Sequence, residues 1–367
     1  MRGFRRATCE SLLVAAAAML AAGCPANDAG KPGGSSSAGT TRRIVLLTNG
    51  YSDFWKAAEV GMKAAAKDLD LAAAGLTVSL DINDGSDAGQ IEKLRQLATQ
   101  PDVAAIGVSV VVRDNVAIAD ELRALRDKGV KIIAIDSDFA PEYHDARLAF
   151  VGSNNLAAGK LLGRVAATVM PDGGEYVTFV GRTSAHNAVE RIEGFAEGAG
   201  EKFSSADSMG DDVDEAKAKE NVRNAIGNHP DVKMLVGIWS YNAAAIAAVV
   251  QELDAREKYR IVAFDADPLA ITGLEDGSID ALVVQNPYRM GYDGVKLLKA
   301  LVEDDQATID ALLPGGSEAG GAVIDTGLKI VVPDGETPLE AGAFEGVEFF
   351  RLKDFRVWMK QNDLLSS

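Results

Sequence analysis

The chain has 367 residues, 54 acidic against 37 basic side chains for a formal charge of −17, and two cysteines. That balance opposes binding to nucleic acid or to anionic lipid surfaces. The length is enough for two average lobes, each with its own core.

At the start of the chain, Arg2, Arg5 and Arg6 precede an apolar run over residues 12–22. The run is too short to span a bilayer as a helix, so residues 1–23 are expected to be an export signal. Its end, Leu20-Ala21-Ala22-Gly23-Cys24, resembles the bacterial lipobox, in which small residues precede a Cys that is acylated and becomes the new N-terminus. The alternative is an ordinary secretory signal with an incidental Cys. Residues 1–23 carry three Arg and one Glu, so their removal takes the formal charge from −17 to −19. Cys9 leaves with the signal and Cys24 is the expected lipidation site, which leaves no thiol for a disulfide, a zinc site or a nucleophile. Multiple acyl chains hold a protein at a membrane far better than one. Residues 24–42 follow as a lipidated flexible linker rich in Gly, Ser, Pro and Ala, with too little apolar surface to order itself.

From there short β-branched runs alternate with amphipathic stretches, the pattern of parallel strands joined by crossover helices. Strands are predicted over 44–48, 76–82, 103–109 and 131–136, with helices over 55–69, 91–98 and 116–125. A second series repeats the order, with strands over 176–180, 234–238, 260–264 and 281–285 and helices over 157–169, 189–203, 216–226 and 243–253. The rest reads as a helix over 287–303, an acidic Gly-rich loop over 304–322, a strand over 323–332 and a final helix over 352–362. The fold class is therefore α/β, two similar doubly wound parallel-sheet lobes facing each other across a cleft. Open α/β sheets hold ligands at the carboxyl ends of their strands, so the polar residues there are the candidates.

After the first strand, Asn49-Gly50-Tyr51-Ser52-Asp53-Phe54-Trp55 places two aromatics at a helix start. Their faces suit the C–H faces of a sugar ring, and they equally suit a hydrophobic staple or packing between lobes. The fourth strand runs into Asp136-Ser137-Asp138, and the matching strand of the second series runs into Asp265-Ala266-Asp267. A carboxylate there can accept two hydrogen bonds from vicinal hydroxyls, or it can cap a turn. Arg191 offers a fork of donors, or a helix-surface charge paired with Glu190 or Glu193. Trp239-Ser240-Tyr241-Asn242 and Gln285-Asn286 follow two further strands, where amides serve either polyols or helix caps.

The order of these motifs over roughly residues 43–332 resembles the periplasmic sugar-binding proteins of ABC importers, of the ribose- and galactose-binding type (type I periplasmic binding proteins). In that family a Pro-Phe-Phe tripeptide stacks on the sugar, and Asp53-Phe54-Trp55 stands in its place. The family's Asp-Arg pair corresponds to Asp136-Ser137, its cleft Arg to Arg191, its second-lobe Asp to Asp265 and its hinge-side Gln to Gln285. Its Asn after the strand ending at Ile238 falls at Ser240 or Asn242. The expected ligand-binding set is thus Ser52, Phe54, Trp55, Ser109, Asp136, Ser137, Arg191, Trp239, Ser240, Asn242, Asp265 and Gln285. Ser137 stands for an Arg, Trp55 for a Phe and Ser52 for an Asn, a pattern that points away from ribose itself toward another pentose, a hexose or a polyol.

The resemblance implies a monomeric, extracytoplasmic binding protein. It would be tied to a bacterial membrane through its lipid, bind a monosaccharide, hand it to an ABC permease, and need no cofactor, metal or nucleic acid. The resemblance also implies two lobes joined by a hinge, 43–150 plus 286–325 and 151–285 plus 326–367, with closure about crossings near 150–152, 285–287 and 325–327. A sugar-sensing lipoprotein that signals to a membrane receptor or kinase would share the same cleft. An enzyme, for example a glycosidase with Asp136 and Asp265 as its carboxylates, is a third reading. Against it, no phosphate loop or nucleophile elbow is present, and His144, His186 and His229 lack ligand spacing and read as surface residues.

Overall fold

Continuous apolar runs become strands covered on both faces, and the stretches between them become helices that do the covering. In a computed structural model that describes residues 41–314 and 322–366, the first lobe opens with β1 (Arg42–Leu47), α1 (Asp53–Asp68), β2 (Leu76–Asp81) and α2 (Asp87–Leu97). It continues with β3 (Val103–Val108), α3 (Val116–Asp127), β4 (Lys131–Ile135) and β5 (Phe150–Gly152). The expected signal, Cys24 and residues 25–40 of the expected linker lie outside the described residues.

The second lobe holds α4 (Asn155–Val169), β6 (Gly174–Val180), α5 (His186–Ala199), β7 (Phe203–Gly210), α6 (Glu215–Asn228) and β8 (Val232–Gly237). It goes on through α7 (Ser240–Glu252), β9 (Arg260–Phe264), α8 (Pro268–Glu275) and β10 (Ala281–Val284). The chain then returns to the first lobe with α9 (Pro287–Glu303), α10 (Gln306–Leu312) and β11 (Val323–Asp325). It ends on the second with β12 (Lys329–Val332), β13 (Glu348–Arg351) and α11 (Leu352–Gln361).

The strand orders are β2-β1-β3-β4-β5-β11 and β7-β6-β8-β9-β10-β12-β13. The first five strands of each sheet follow the same order, and both reverse direction of winding between the first and third strands of the set. Every pairing is parallel except β10 with β12. Alternate side chains of β1 enter separate cores: Ile44 and Leu46 pack with α1 and α9, while Val45 and Leu47 pack with α2 and α3. In the second lobe, Tyr176 and Val180 face α4 and α5, and Val177 and Phe179 face α6 and α7. The chain passes between the sheets three times, after β5, after β10 and between β11 and β12.

Several elements depart from the expectations. The run 323–332 is two strands in different sheets, because Gly327 sits at φ 80° and turns the chain from one lobe to the other. The helix expected over 189–203 stops at Ala199, with Gly200 at φ 80° releasing the chain into β7. β7 and β13 escaped prediction because they lie at a sheet edge, where polar side chains replace the apolar signal. The stretch 304–322, read as a loop, contains α10, capped by Asp305. β1 begins two residues before the expected start, pairing Arg42 with Leu76. His144, His186 and His229 are half-buried.

Each lobe is closed by a pair of helices whose backbones touch through glycine. Gly61 of α1 lies against the Tyr288 carbonyl of α9, and Gly291 of α9 lies against that of Ala58. On α4 and α5, Gly159, Gly163, Gly194 and Gly198 each face a carbonyl of the other helix. A methyl group at Gly159 would overlap the carbonyl of Arg191, so the seam sets the position of that arginine. Overpacking of this kind costs about 1–3 kcal/mol. Gly159→Ala should therefore lower the urea midpoint at unchanged m-value, whereas Gly227→Ala, with no neighbour for its methyl, should not.

Candidate binding cleft between the lobes

The carboxyl ends of the two sheets face each other across a small, tightly closed cavity of about 50 Å³. The first lobe contributes Asn49, Gly50, Tyr51, Ser52, Phe54, Trp55 and Asp136. The second contributes Asn187, Arg191, Val213, Trp239, Ser240, Tyr241 and Asp265, and Gln285 lies at the crossing after β10.

Asp136 and Asp265 occupy matching positions, one residue past β4 and β9. Both have left-handed backbone, with φ 65° and 63°. The amide of Asp136 donates to the Val151 carbonyl of β5 at 3.0 Å, and that of Asp265 donates to Val283 of β10 at 2.9 Å. Each carboxylate is thereby turned out of the sheet toward the cavity, at the sparse-region cost of about 1–3 kcal/mol that Asp bears better than most residues.

The side chains form a chain of hydrogen bonds across the lobes. Asp136 Oδ2 accepts from Ser109 Oγ at 3.1 Å and from Asn187 Nδ2 at 3.4 Å. Asn187 Oδ1 in turn accepts the Trp239 indole N–H at 3.2 Å. Arg191 donates from Nε to Asn155 Oδ1 at 3.0 Å and from Nη1 to the Ile238 carbonyl at 3.2 Å, and its guanidinium carbon lies 4.6 Å from the centre of the Phe264 ring. Its Nη2 has no hydrogen-bond acceptor in the protein and lies 3.9 Å from Asp136 Oδ1. Gln285 Nε2 donates to both oxygens of Asp265, at 3.1 and 3.2 Å.

All three charged groups are almost fully buried. Burial raises the Asp136 carboxyl above its usual range, against the opposing pull of Arg191 and of the Ser109 and Asn187 hydrogen bonds. Asp265 is pushed up to about 6 by burial, only partly offset by Arg191 and Gln285. Burial also lowers the affinity of Arg191 for its proton, opposed by the two aspartates.

The aromatic walls are rigid. Phe54 and Trp55 meet edge to face at 5.2 Å, and the Trp55 indole donates to Asn49 Oδ1 at 3.3 Å. Gly181 leaves no room for any side chain beneath Trp239, whose ring covers it. The walls are aromatic, the floor carries two carboxylates and one guanidinium, and the amides offer both donors and acceptors. That combination matches a small neutral molecule with apolar ring faces and several hydroxyls.

Nine of the twelve expected residues line this cavity: Ser52, Phe54, Trp55, Asp136, Arg191, Trp239, Ser240, Asp265 and Gln285. The other three stand behind its wall. Ser109 is buried and orients Asp136, and Ser137 is buried with its hydroxyl unpartnered. Asn242 is committed to structure, its Oδ1 accepting from Trp239 N and its Nδ2 donating to Asp211 Oδ2 at 2.9 Å. Asn49, Tyr51 and Tyr241 lie within motifs already singled out but not among the expected ligand-binding residues, and Asn187 lies in the first turn of α5, one turn before Arg191. Val213 carried no sequence signal, since it follows the unpredicted strand β7.

Among the described residues no group of three or more His, Cys, Asp or Glu could hold a metal ion, and no helix is long and apolar enough to cross a membrane.

A two-lobed binding protein with its ligand site at the strand ends is what this fold and cleft define. Residues 44–306 match the periplasmic binding protein domain, and the chain belongs to that family. It is 24% identical to the ribose import binding protein of Escherichia coli over 244 residues, 65% of this chain and 76% of the relative. It is 25% identical to a D-ribose/D-allose-binding protein of Pseudomonas aeruginosa, over 69% and 80% of the two chains. Among solved structures, an ABC-transporter solute-binding protein of Burkholderia graminis in complex with D-arabinose superposes with a TM-score of 0.68 at 25% identity, covering 79% of this chain and 95% of that one. These relatives are binding proteins, and so is this chain; it is not an enzyme.

Because burial outweighs the pull of Arg191, the folded protein holds the Asp265 proton more tightly than the unfolded chain does. The stability this confers is complete below about pH 3.8 and is lost as pH rises through about 6. Asp265→Asn removes the charge and tolerates the left-handed backbone. It should stabilise the protein by roughly 1–3 kcal/mol near pH 7.5 and have little effect near pH 4, as read by urea denaturation at both values.

Proposed function

We propose that the chain is the lipid-anchored, extracytoplasmic receptor of an ABC sugar importer, which encloses one monosaccharide between its lobes and presents the closed form to a membrane permease. The observation that carries this reading is the juxtaposition of Phe54, Trp55 and Trp239 with the buried Asp136, Arg191 and Asp265 in one interlobe cavity. Vicinal hydroxyls donate to each carboxylate, Arg191 Nη2 donates to a ring or hydroxyl oxygen, and the aromatic faces cover the C–H faces of the ring. An epimer that misplaces one hydroxyl leaves a buried group unpaired, which supplies selectivity.

The lobe boundaries support a hinge formed by the three crossings. Asp136 and Ser109 come from the first lobe and Asn187 and Arg191 from the second, so contacts to one ligand from both sides favour the closed arrangement. The names of the relatives support an aldose or closely related sugar. The smaller Ser137 and larger Trp55, set against the ribose-type pattern, favour a ligand other than ribose. Cys24 after small residues supports the anchor, which would keep the receptor concentrated near its permease.

A panel of aldopentoses, aldohexoses and polyols screened by thermal shift should raise the melting temperature with one or a few members. Arg191→Lys, which keeps the charge and loses the planar fork, should weaken that ligand by at least about tenfold in calorimetry while leaving the circular dichroism spectrum unchanged. A folded protein that answers to none of the panel overturns the sugar assignment. In the native host, Cys24→Ser should move the protein from the membrane fraction to the soluble extracytoplasmic fraction. Retention in the membrane would remove the lipid anchor from the proposal. A permease complex that forms only with sugar separates transport from signalling to a membrane kinase.

A further inference from the structure

A second, larger space of about 380 Å³ opens outside the ligand cavity. It is walled by Asp53, Asn83 and Asp84 of the first lobe and by Glu215, Asp267 and Leu269 of the second. The two spaces share Tyr51, Ser52, Val213, Ser240 and Tyr241. Val213 is the one of these five whose side chain is aliphatic, and it reaches across the gap between the lobes. A Cβ built on Gly50 would lie 3.9 Å from its Cγ1, and one built on Gly85 would lie 3.6 Å from its Cγ2. Two glycines of the first lobe therefore form the seat for this one valine of the second.

The backbone that presents Val213 is unusual. Asp212 and Val213 are both left-handed, at φ 57° and 66°, and a β-branched residue is an outlier there. The loop is held in place by Asp211, which is fully buried. Its Oδ1 accepts the amide of Val213 at 2.9 Å and the Tyr241 hydroxyl, and its Oδ2 accepts from Asn242. Strain maintained by a buried carboxylate needs a reason in function. The position would be more comfortable with Gly or Asn, and the side chain found is a compact apolar wedge.

We infer that Val213 is a specificity-determining residue. It seals the ligand cavity on its outer side, limits the ligand to a single ring, and excludes glycosides and disaccharides that would extend into the outer space. This rests on the sugar-receptor reading and deepens it. With Val213 removed, the two spaces become one, and an attached ring could lie against Tyr51 and Leu269, the exposed apolar side chains of the outer wall.

The test uses the free monosaccharide that binds most tightly in the panel, its phenyl α- and β-glycosides, and disaccharides bearing the same sugar at the reducing end. Together these place the added ring on either side of the bound sugar. Affinities are measured by calorimetry for the wild type, Val213→Gly and Val213→Asn. Both substitutions suit a left-handed backbone, so both should fold, and Asn retains bulk where Gly does not. The wild type should discriminate against every extended ligand by about 100-fold or more. Val213→Gly should bring at least one of them within about tenfold of the free sugar, while Val213→Asn keeps the wide gap.

An unchanged gap in Val213→Gly overturns the inference and leaves the receptor reading intact. Equal binding of free and extended ligands by the wild type does the same. Closure of the gap by Val213→Asn as well as by Gly would assign the effect to relaxed backbone and also overturn it. Failure of folded wild type to bind any free sugar overturns the receptor reading and this inference together.

Discussion

Three charges taken out of water at the meeting of two lobes are the constraint on which the rest of this structure turns. Asp136 belongs to the first lobe, Arg191 and Asp265 to the second, and each is buried almost completely. Buried charge is tolerated only where partners are placed around it, and the desolvation of an ion pair can exceed its attraction. Here most partners come from the charge's own lobe, and two come from across the interface: Asn187 reaches Asp136 from the opposite lobe, and Arg191 Nη2 faces Asp136 Oδ1 at 3.9 Å. The raised carboxyls of Asp136 and Asp265 show that these partners do not fully offset burial. Such a site gains most from a ligand that supplies several hydroxyl donors at once.

The fold is arranged to hold those groups still. Both aspartates leave their strands through a left-handed residue anchored to the next strand, so two copies of one backbone device aim two carboxylates at a common centre. Arg191 is positioned by the glycine seam between α4 and α5, and Trp239 by the bare backbone of Gly181. The Asp211 network ties Tyr241 and Asn242 to the loop that carries Val213. The geometry of the cleft therefore depends as much on residues that never face the cavity as on those that line it. The chain crosses three times between the two sheets, and Asn187 and Arg191 bridge the lobes beside Asp136.

Much of the architecture was legible because parallel strands covered on both faces are continuous apolar runs, and the runs recur in one order in each lobe. The edge strands β7 and β13 were not legible, since one side of each meets water and the apolar pattern fails there. The split of 323–332 was hidden because a single glycine, Gly327, changes the sheet to which the chain belongs without interrupting its apolar character.

At the site, strand-end position drew attention to Asp136, Asp265, Trp239 and Gln285, because the carboxyl edge of an α/β sheet is where side chains converge, and the family resemblance singled them out together with Arg191 of α5. The same argument could not separate Asn187, which bridges the lobes, from Asn242, which is spent on a cap and on Asp211. Nor could it find Val213, whose place depends on two glycines more than a hundred residues earlier in the chain. Composition and periodicity thus determined the two-lobed α/β class, since it follows from local pattern, while the residues expected to face the cleft came from their strand-end places together with the family resemblance. The tertiary structure alone decided which of those residues touch the cavity, how their charges are balanced and where the cavity ends. Those properties depend on distances between segments that only packing brings together.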